Sequence, residues 1–374
     1  PRADRTILPA LRVADGRSPK DLVFLTARDA LAAKISDRSA DHLLAGIRAA
    51  GYPVLDAVGH DPDPDRAASL VRDHARRHPG TRGVVILGGY DVVPSQRVDC
   101  LPPDVREDNT PNDDPDACVV WSDDVYGELG GDPLPEIAVS RIPDGRSADL
   151  MFAAVQAGGS SVGSGRSGIR NVQRPFATEV YRPLPGSGDL LVSAPTTFDV
   201  RPRYSLEADR VYLMLHGDYT DGRRLRGEDD GSYPVAMDVT NVPERCGPVV
   251  LCGACWGALI VDQPAGRLAA NETVVAHKDL DGSVALSFLA RGVTAFVGCT
   301  GAHYSPTVEP FGYYGGPLHA AFWRSYAAGL APAEALLQAK RDFAGGMPHG
   351  RETPGSVAIE FKILRLFTSL GLGW

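Results

Sequence analysis

A chain of 374 residues, 43% hydrophobic and 23% charged, carries enough apolar material for a sizeable core or for two closely joined lobes. Its formal net charge of −9 argues against nucleic acid as a main partner, because phosphate binding needs a basic surface. No apolar run approaches the length of a membrane-spanning helix, so no membrane span is expected.

"DLVFLT" (21–26) reads as a buried strand, and residues 28–50 as a helix ending at Gly51, a natural helix stop. "YPVLDAV" is a second strand, "PDRAASLVRDHARRH" a helix with Pro64 near its start, and "GVVILGG" (83–89) a third strand. Strands alternating with helices predict βαβ units and a parallel sheet, whose functional loops follow the carboxyl ends of strands. The stretch 100–118 is polar and proline-rich. Its six carboxylates between 104 and 116 read as a solvated loop; a structural calcium ion is conceivable there, although no EF-hand spacing is present. "VVWSDDVYG" and "EIAVSRIP" are further strand candidates, and "SADLMFAAVQA" a helix. "GGSSVGSGRSG" (158–168) has linker composition. Its Gly163, Gly165 and Gly168 match G-x-G-x-x-G, but they follow a helix rather than a strand, so the dinucleotide reading fails its context. A second series follows: "DLLVSAP", "RVYLMLHG", "PVVLCGAC", the helix "GSVALSFLARG", the strand "TAFVGCTG", and helices near 317–328, 332–344 and 356–370. The expected organisation is an N-terminal α/β subdomain over 1–157, a linker over 158–170 and a C-terminal catalytic subdomain over 171–374.

The six cysteines are too sparse for a disulfide scaffold. The chain opens on Pro1 rather than Met, which reads as a trimmed form. The lack of secretion modules favours the cytoplasm, with a secreted origin left open because a leader would have been cut away.

Two motifs carry chemistry. His216 ends the apolar run "VYLMLHG", and Cys255 ends "VVLCGAC". Both fall where parallel strands emerge into loops, and a thiol needs a nearby base or cation to act as a nucleophile. Each alone reads as a buried core residue; together they predict a Cys-His dyad. The N–H groups of Gly217 and Cys255 are the natural oxyanion donors. Asp218 either lines the substrate cleft or caps a turn, and Trp256 either walls a specificity pocket or packs. His303, in "TGAHYSP", follows a strand end and either borders the cleft or, the preferred reading, sits in a surface loop. Cys252 and Cys255 also form a C-x-x-C, which leaves a dithiol oxidoreductase as a rival reading. As zinc ligands they lack a second pair, so no metal site is expected.

The hydrophobic block with His-Gly, followed about 40 residues later by a hydrophobic block with Ala-Cys, resembles the caspase-like (clan CD) cysteine peptidases. "WSDDVYGELGGDPLPEIAVSRIP" (121–143) and "FLARGVTAFVGCTGAHYSP" (288–306) are most similar to the gingipain-type family. The resemblance covers about 120 to 374. It implies a caspase/gingipain-like fold of two side-by-side α/β subdomains, with mainly parallel sheets flanked by helices. It also implies that Cys255 is the nucleophile and His216 the base or proton donor. Glu136 falls where the family supports the histidine, and Asp149 near its determinant of basic P1 specificity. The plain alternatives are a strand-edge charge for Glu136 and a first-turn helix carboxylate for Asp149. The chain departs from the family in having Leu215 before the histidine, where Gly is common, and in stopping at "FTSLGLGW".

The expected function is therefore a cysteine endopeptidase acting on a protein or peptide substrate after Arg or Lys, with no cofactor required for the chemistry. Its rivals are a caspase-like scaffold with a silent or self-processing dyad, and the dithiol oxidoreductase.

Overall fold

The apolar runs fold into strands of one sheet, and the amphipathic runs between them into covering helices. The computed structural model describes residues 21–57, 63–108, 114–130, 134–157, 161, 163, 165–199, 205–269, 275–347 and 354–374. The first part of the chain forms β1 (Leu22–Thr26), α1 (Arg28–Ile35), α2 (Asp37–Ala49), β2 (Val54–Asp56), α3 (Pro64–Arg77) and β3 (Gly83–Leu87). A side hairpin of β4 (Gln96–Asp99) and β5 (Val119–Ser122), with α4 (Pro103–Asp108) between them, precedes β6 (Ala138–Ile142) and α5 (Ala148–Gln156). Next come β7 (Arg166–Asn171), α6 (Phe176–Tyr181), β8 (Leu190–Ser193), β9 (Arg210–Met214), the hairpin β10 (Arg224–Arg226) and β11 (Val235–Asp238), and β12 (Val249–Cys252). The chain ends with α7 (Val284–Ala290), β13 (Ala295–Cys299), α8 (Gly315–Ala327), α9 (Pro332–Gly345), α10 (Pro354–Leu366) and β14 (Phe367–Leu370).

Three expectations need correction. Residues 28–50 make two helices, because Ser36 sits at φ 78°, breaks the first and caps the second by accepting from Ser39 N–H. The expected linker gives its last residues to β7, which pairs with both β8 and β9 inside the main sheet; residues 158–160, 162 and 164 lie outside the described set. The last helix stops at Leu366, and Phe367–Leu370 become β14, antiparallel to β13.

That strand matters to the architecture. The ten-stranded sheet runs β2-β1-β3-β6-β14-β13-β12-β9-β7-β8. Strands from before residue 157 form one end and strands from β7 onward the other, with β14 between them. All pairings except β13–β14 are parallel. The central strands β1, β3, β12 and β13 are buried along their whole length, as parallel strands covered on both faces should be. Alternate residues feed cores on opposite faces. Val250 and Cys252 of β12 pack with α7, whereas Val249 and Leu251 pack with α6 and α8. No helix among the described residues is long and apolar enough to cross a membrane.

Charges are buried in this interior. Arg141 of β6 is fully buried and forms a two-pronged pair with Asp123 at 2.7 Å on each prong. Its remaining nitrogen donates to the carbonyls of Gly88, Gly89 and Val93. Removing one partner of such a pair strands the other charge away from water. Asp123→Asn is expected to lower unfolding stability by about 3 kcal/mol in urea titration. Glu179→Gln, which breaks the exposed Arg182–Glu179 pair, is expected to change it by less than about 0.5 kcal/mol.

Candidate active site

The register of the sheet brings the two sequence-predicted residues to one level. Cys252 of β12 pairs with Leu213 of β9. Counting three residues on from each reaches Cys255 and His216, so both stand at the same height past the carboxyl ends of adjacent strands. Strand neighbours lie about 4.8 Å apart. In β9 Tyr212 and Met214 enter the core under α6 and α8, and in β12 Val249 and Leu251 do. Carried past the strand ends, the same alternation puts His216 and Cys255 on that face.

Close approach requires a glycine. A Cβ on Gly217 would lie 2.0 Å from the carbonyl oxygen of Cys255, so no other residue fits after the histidine. Neither the N–H of Gly217 nor that of Cys255 finds a partner among the described residues. Both are free donors beside the thiol. After Cys255 the chain turns sharply. Trp256 adopts φ 52°, Gly257 N–H closes onto the Ala254 carbonyl, and Trp256 N–H is held by the Gly301 carbonyl.

His216 is half-buried and fixed on both sides of its backbone by a two-way bridge to Arg226. Its Nε2 bonds Glu228 Oε2 at 2.9 Å, and the ring stands edge-on to Tyr233 at 5.0 Å. The His216 bond, helped by Asn171 Nδ2 at 3.3 Å, holds the Glu228 carboxyl below the usual range. Glu228 was not singled out in the sequence. Its only signal was its place in the charged, glycine-rich loop after His216. Glu136, the expected partner, is elsewhere engaged: it accepts from the N–H groups of Leu129 and Gly130 and pins that turn. A carboxylate with two amide donors six and seven residues before it satisfies itself locally.

Cys255 Sγ sits between the backbone groups of His303, donating to its carbonyl at 3.6 Å and accepting from its N–H at 3.3 Å. Burial pushes the thiol up; the His303 N–H and the charges of Lys362 and Arg174 pull the other way. His303 is not on the surface. It is buried, stacks on His319 at 5.0 Å, and burial holds its ring well below the usual histidine range.

Behind the thiol lies a charge cluster that the sequence hid. Lys362 of α10 is fully buried and bonds Asp114 at 2.6 Å and Asp116 at 2.7 Å. Asp116 also accepts from Trp256 Nε1 at 3.0 Å and from Ala302 N–H at 2.6 Å. Two carboxylates of the expected solvated loop are thus interior struts; residues 109–113 lie outside the described set.

A shallow cleft of about 10 Å³ lies between the loops after β9 and β12. Gly217, Asp218, Asp221, Cys255, Trp256 and Ser283 are among its walls. Asp218 both lines it and closes a turn, accepting from Thr220 N–H and Oγ1. Asp221 is paired with Arg226 at 3.0 Å. Lys278 stands behind Gly222, where burial lowers its ammonium to about 8. Trp256 packs edge-on against Tyr219 at 5.4 Å while walling the cleft. Asp149 is not among the cleft's lining residues. It is exposed in the first turn of α5, where the helix dipole favours a carboxylate. Cys252 is fully buried in β12, its thiol pushed up to about 12 by burial.

No protein-family model matches the chain, and no curated protein does. Among solved structures it is similar to the Arg-specific cysteine proteinase gingipain R, with a TM-score of 0.56 and 11% identity over 96% of this chain and 78% of that one. It is also similar to RgpB in the complex of Porphyromonas gingivalis RgpB pro- and mature domains, with a TM-score of 0.55 and 10% identity over 94% of this chain and 78% of that one. The fold is the caspase-like, gingipain-type α/β fold found in clan CD cysteine peptidases.

Two outcomes follow from this geometry. Of the six free cysteines, only Cys255 is partly exposed. Iodoacetamide on the native protein is expected to label Cys255 first, with a rate still climbing at pH 9, because the thiol titrates above its ordinary value. Mass mapping at several pH values checks both points. Lys362→Met leaves Asp114 and Asp116 buried without their cation, and should cost about 3–5 kcal/mol in denaturant melts.

Proposed function

We propose that this protein is a cysteine endopeptidase with Cys255 as nucleophile and His216 as base. The observation that carries the reading is the pairing of His216, anchored on Glu228, with Cys255 at one level of adjacent strands, beside two free amides. The burial-raised thiol rests protonated at neutral pH, so its proton must leave as it attacks. With His216 Nε2 bound to Glu228, Nδ1 is the nitrogen left to take it. The Cys255 sulfur–carbon bond forms at the scissile carbonyl while the S–H proton passes to His216. Gly217 and Cys255 N–H groups hold the resulting oxyanion. The carbon–nitrogen bond then breaks, and His216 gives its proton to the departing amine. Water, deprotonated by His216, attacks the thioester, and the acid leaves as the Cys255 thiol is restored. Glu228 stays ionised throughout and stabilises the transient imidazolium.

The cleft beside Cys255 supports a basic P1 residue, Arg before Lys. Asp218 is its carboxylate with no cation in ion-pair contact among the described residues, although the buried Lys278 ammonium acts on it from behind Gly222, and the Arg specificity of the similar gingipain points the same way. Asp218 takes the role first expected of Asp149. The dithiol alternative needs Cys252 as a second thiolate, and its full burial in a strand argues against that. The scaffold alternative keeps one observation in its favour, the resting thiol tucked against His303.

A peptidyl acyloxymethyl ketone with P1 Arg is expected to modify Cys255 in the wild type and not in His216→Ala. Peptide hydrolysis should vanish in Cys255→Ala, persist in Cys252→Ser, and fall about tenfold or more in kcat in Glu228→Gln. Asp218→Asn should erode the preference for Arg over neutral residues. Absence of both adduct and hydrolysis in the wild type would move the protein to the scaffold reading.

A further inference from the structure

We infer that Arg174 is a second substrate-reading residue of this site, taking an acidic side chain of the peptide on the flank opposite the Asp218 cleft. The inference rests on the peptidase reading above. Arg174 lies on the turn between β7 and α6, half-buried. Its N–H bonds the Asn171 carbonyl at 3.1 Å, and its carbonyl accepts from Ala177 N–H at 3.2 Å. The same Asn171 donates its side chain to Glu228, the partner of His216. The turn that carries Arg174 is therefore tied directly to the dyad.

The guanidinium is close enough for its charge to act on Cys255, Glu228 and His303. It has no carboxylate of its own among the described residues, and donates only to the carbonyl of neighbouring Gln173 at 3.1 Å. Several guanidiniums near the sheet's carboxyl edge are matched. Arg141 has Asp123, Arg226 has Asp221, Arg224 has Asp238, and Arg365 has Asp124. Among the described residues, Arg170 and Arg267 meet only the carbonyls of Asn171 and Val172 and the Tyr219 hydroxyl, respectively. Glu228 is the nearby acid, but its Oε2 is already shared by His216 and Asn171. An arginine left unmatched in a chain of net charge −9 is an open fork for a carboxylate from outside.

The placement gives the site two poles. α6 belongs to the core on the thiol's face of the sheet. Asp218 belongs to the loop whose Tyr219 packs with Trp256 on the α7 face. A peptide lying across the sheet edge between His216 and Cys255 thus meets a carboxylate on one side and a guanidinium on the other. That arrangement fits a substrate with a basic residue at the cleavage point and an acidic one on the Arg174 side.

The test uses matched peptides with Arg at P1 and a single Glu or Gln moved through the flanking positions. At one position the wild type is expected to favour Glu over Gln about tenfold in kcat/KM, the size of one charge-assisted hydrogen-bonded pair. Arg174→Gln should erase that preference, and Arg174→Glu should turn it toward Lys. No preference at any position overturns the inference. So does an equal loss for Glu and Gln peptides in Arg174→Gln, which would mean that Arg174 acts only on the thiol. If the wild type cleaves no peptide, the peptidase reading fails, and binding decides Arg174 separately. Fluorescence anisotropy with Cys255→Ala should then show the Glu peptide binding about tenfold tighter than the Gln peptide, a difference lost in Cys255→Ala/Arg174→Gln. Equal binding would overturn the inference.

Discussion

The buried ammonium of Lys362 fixes the frame on which the site stands. A cation without water must be met by carboxylates, and here two meet it, Asp114 and Asp116. The consequence spreads from Asp116. By accepting from Trp256 Nε1 and Ala302 N–H as well, it ties the segments after β12 and β13 to α10. Tyr304 closes the cluster, donating to Asp114 at 2.8 Å. Three stretches far apart in the chain are locked by one charge balance. The turn holding Cys255 is among them, which is how Trp256 keeps a backbone conformation that a bulky residue avoids.

That frame determines the chemistry of the thiol. Packed against His303, with its own pKa raised by burial, Cys255 is a poor nucleophile until a base acts on it. A resting thiolate–imidazolium pair would need the opposite environment, with cations dominating over desolvation. On the peptidase reading proposed above, the work falls to the attack step: His216 would accept a proton while the oxyanion forms, and Glu228 would already be charged to stabilise the product of that transfer. On that reading the amides of Gly217 and Cys255, which have no acceptor among the described residues, would add fixed dipoles at the same moment. Each part is weak alone, and their value comes from being placed before the substrate arrives.

How legible this was depends on whether the signal was local. Strands such as "GVVILGG" and "TAFVGCTG" are uniform apolar runs, and only a parallel sheet covered on both faces buries them entirely. His216 and Cys255 stood out because polar residues at the ends of such runs have few structural reasons to be there. Other features had no local mark. "FTSL" continues the apolar periodicity of "AIEFKILRL", and only the open edge of β13 makes it a strand. Glu136 had the better sequence argument and Glu228 has the contact, because the hairpin of β10 and β11 folds back onto His216. Asp116 looked solvated within a run of acids; what buries it is Lys362, 246 residues away along the chain. A clue did exist: Lys362 interrupts an apolar helix in a chain with only five lysines. An isolated lysine of that kind calls for a carboxylate partner.

The site's polarity follows from where the two strands end. Because His216 and Cys255 face one side of the sheet and the loop after Gly217 passes to the other, the two faces supply different groups to the same edge. Nothing in net charge foretells this. A chain of charge −9 would be expected to repel acids everywhere, yet local matching leaves Arg174 without a carboxylate among the described residues and engages Asp221 internally. At an active-site edge, the charges that remain unpaired after folding matter more than the sum. They are screened least where the wall is apolar, and the flank beside Arg174 begins with Phe176, buried at the start of α6. On the proposed reading, the arrangement of matched and unmatched charges around His216 and Cys255 is thus the part of the sequence that would select among substrates, while the apolar pattern selects the fold.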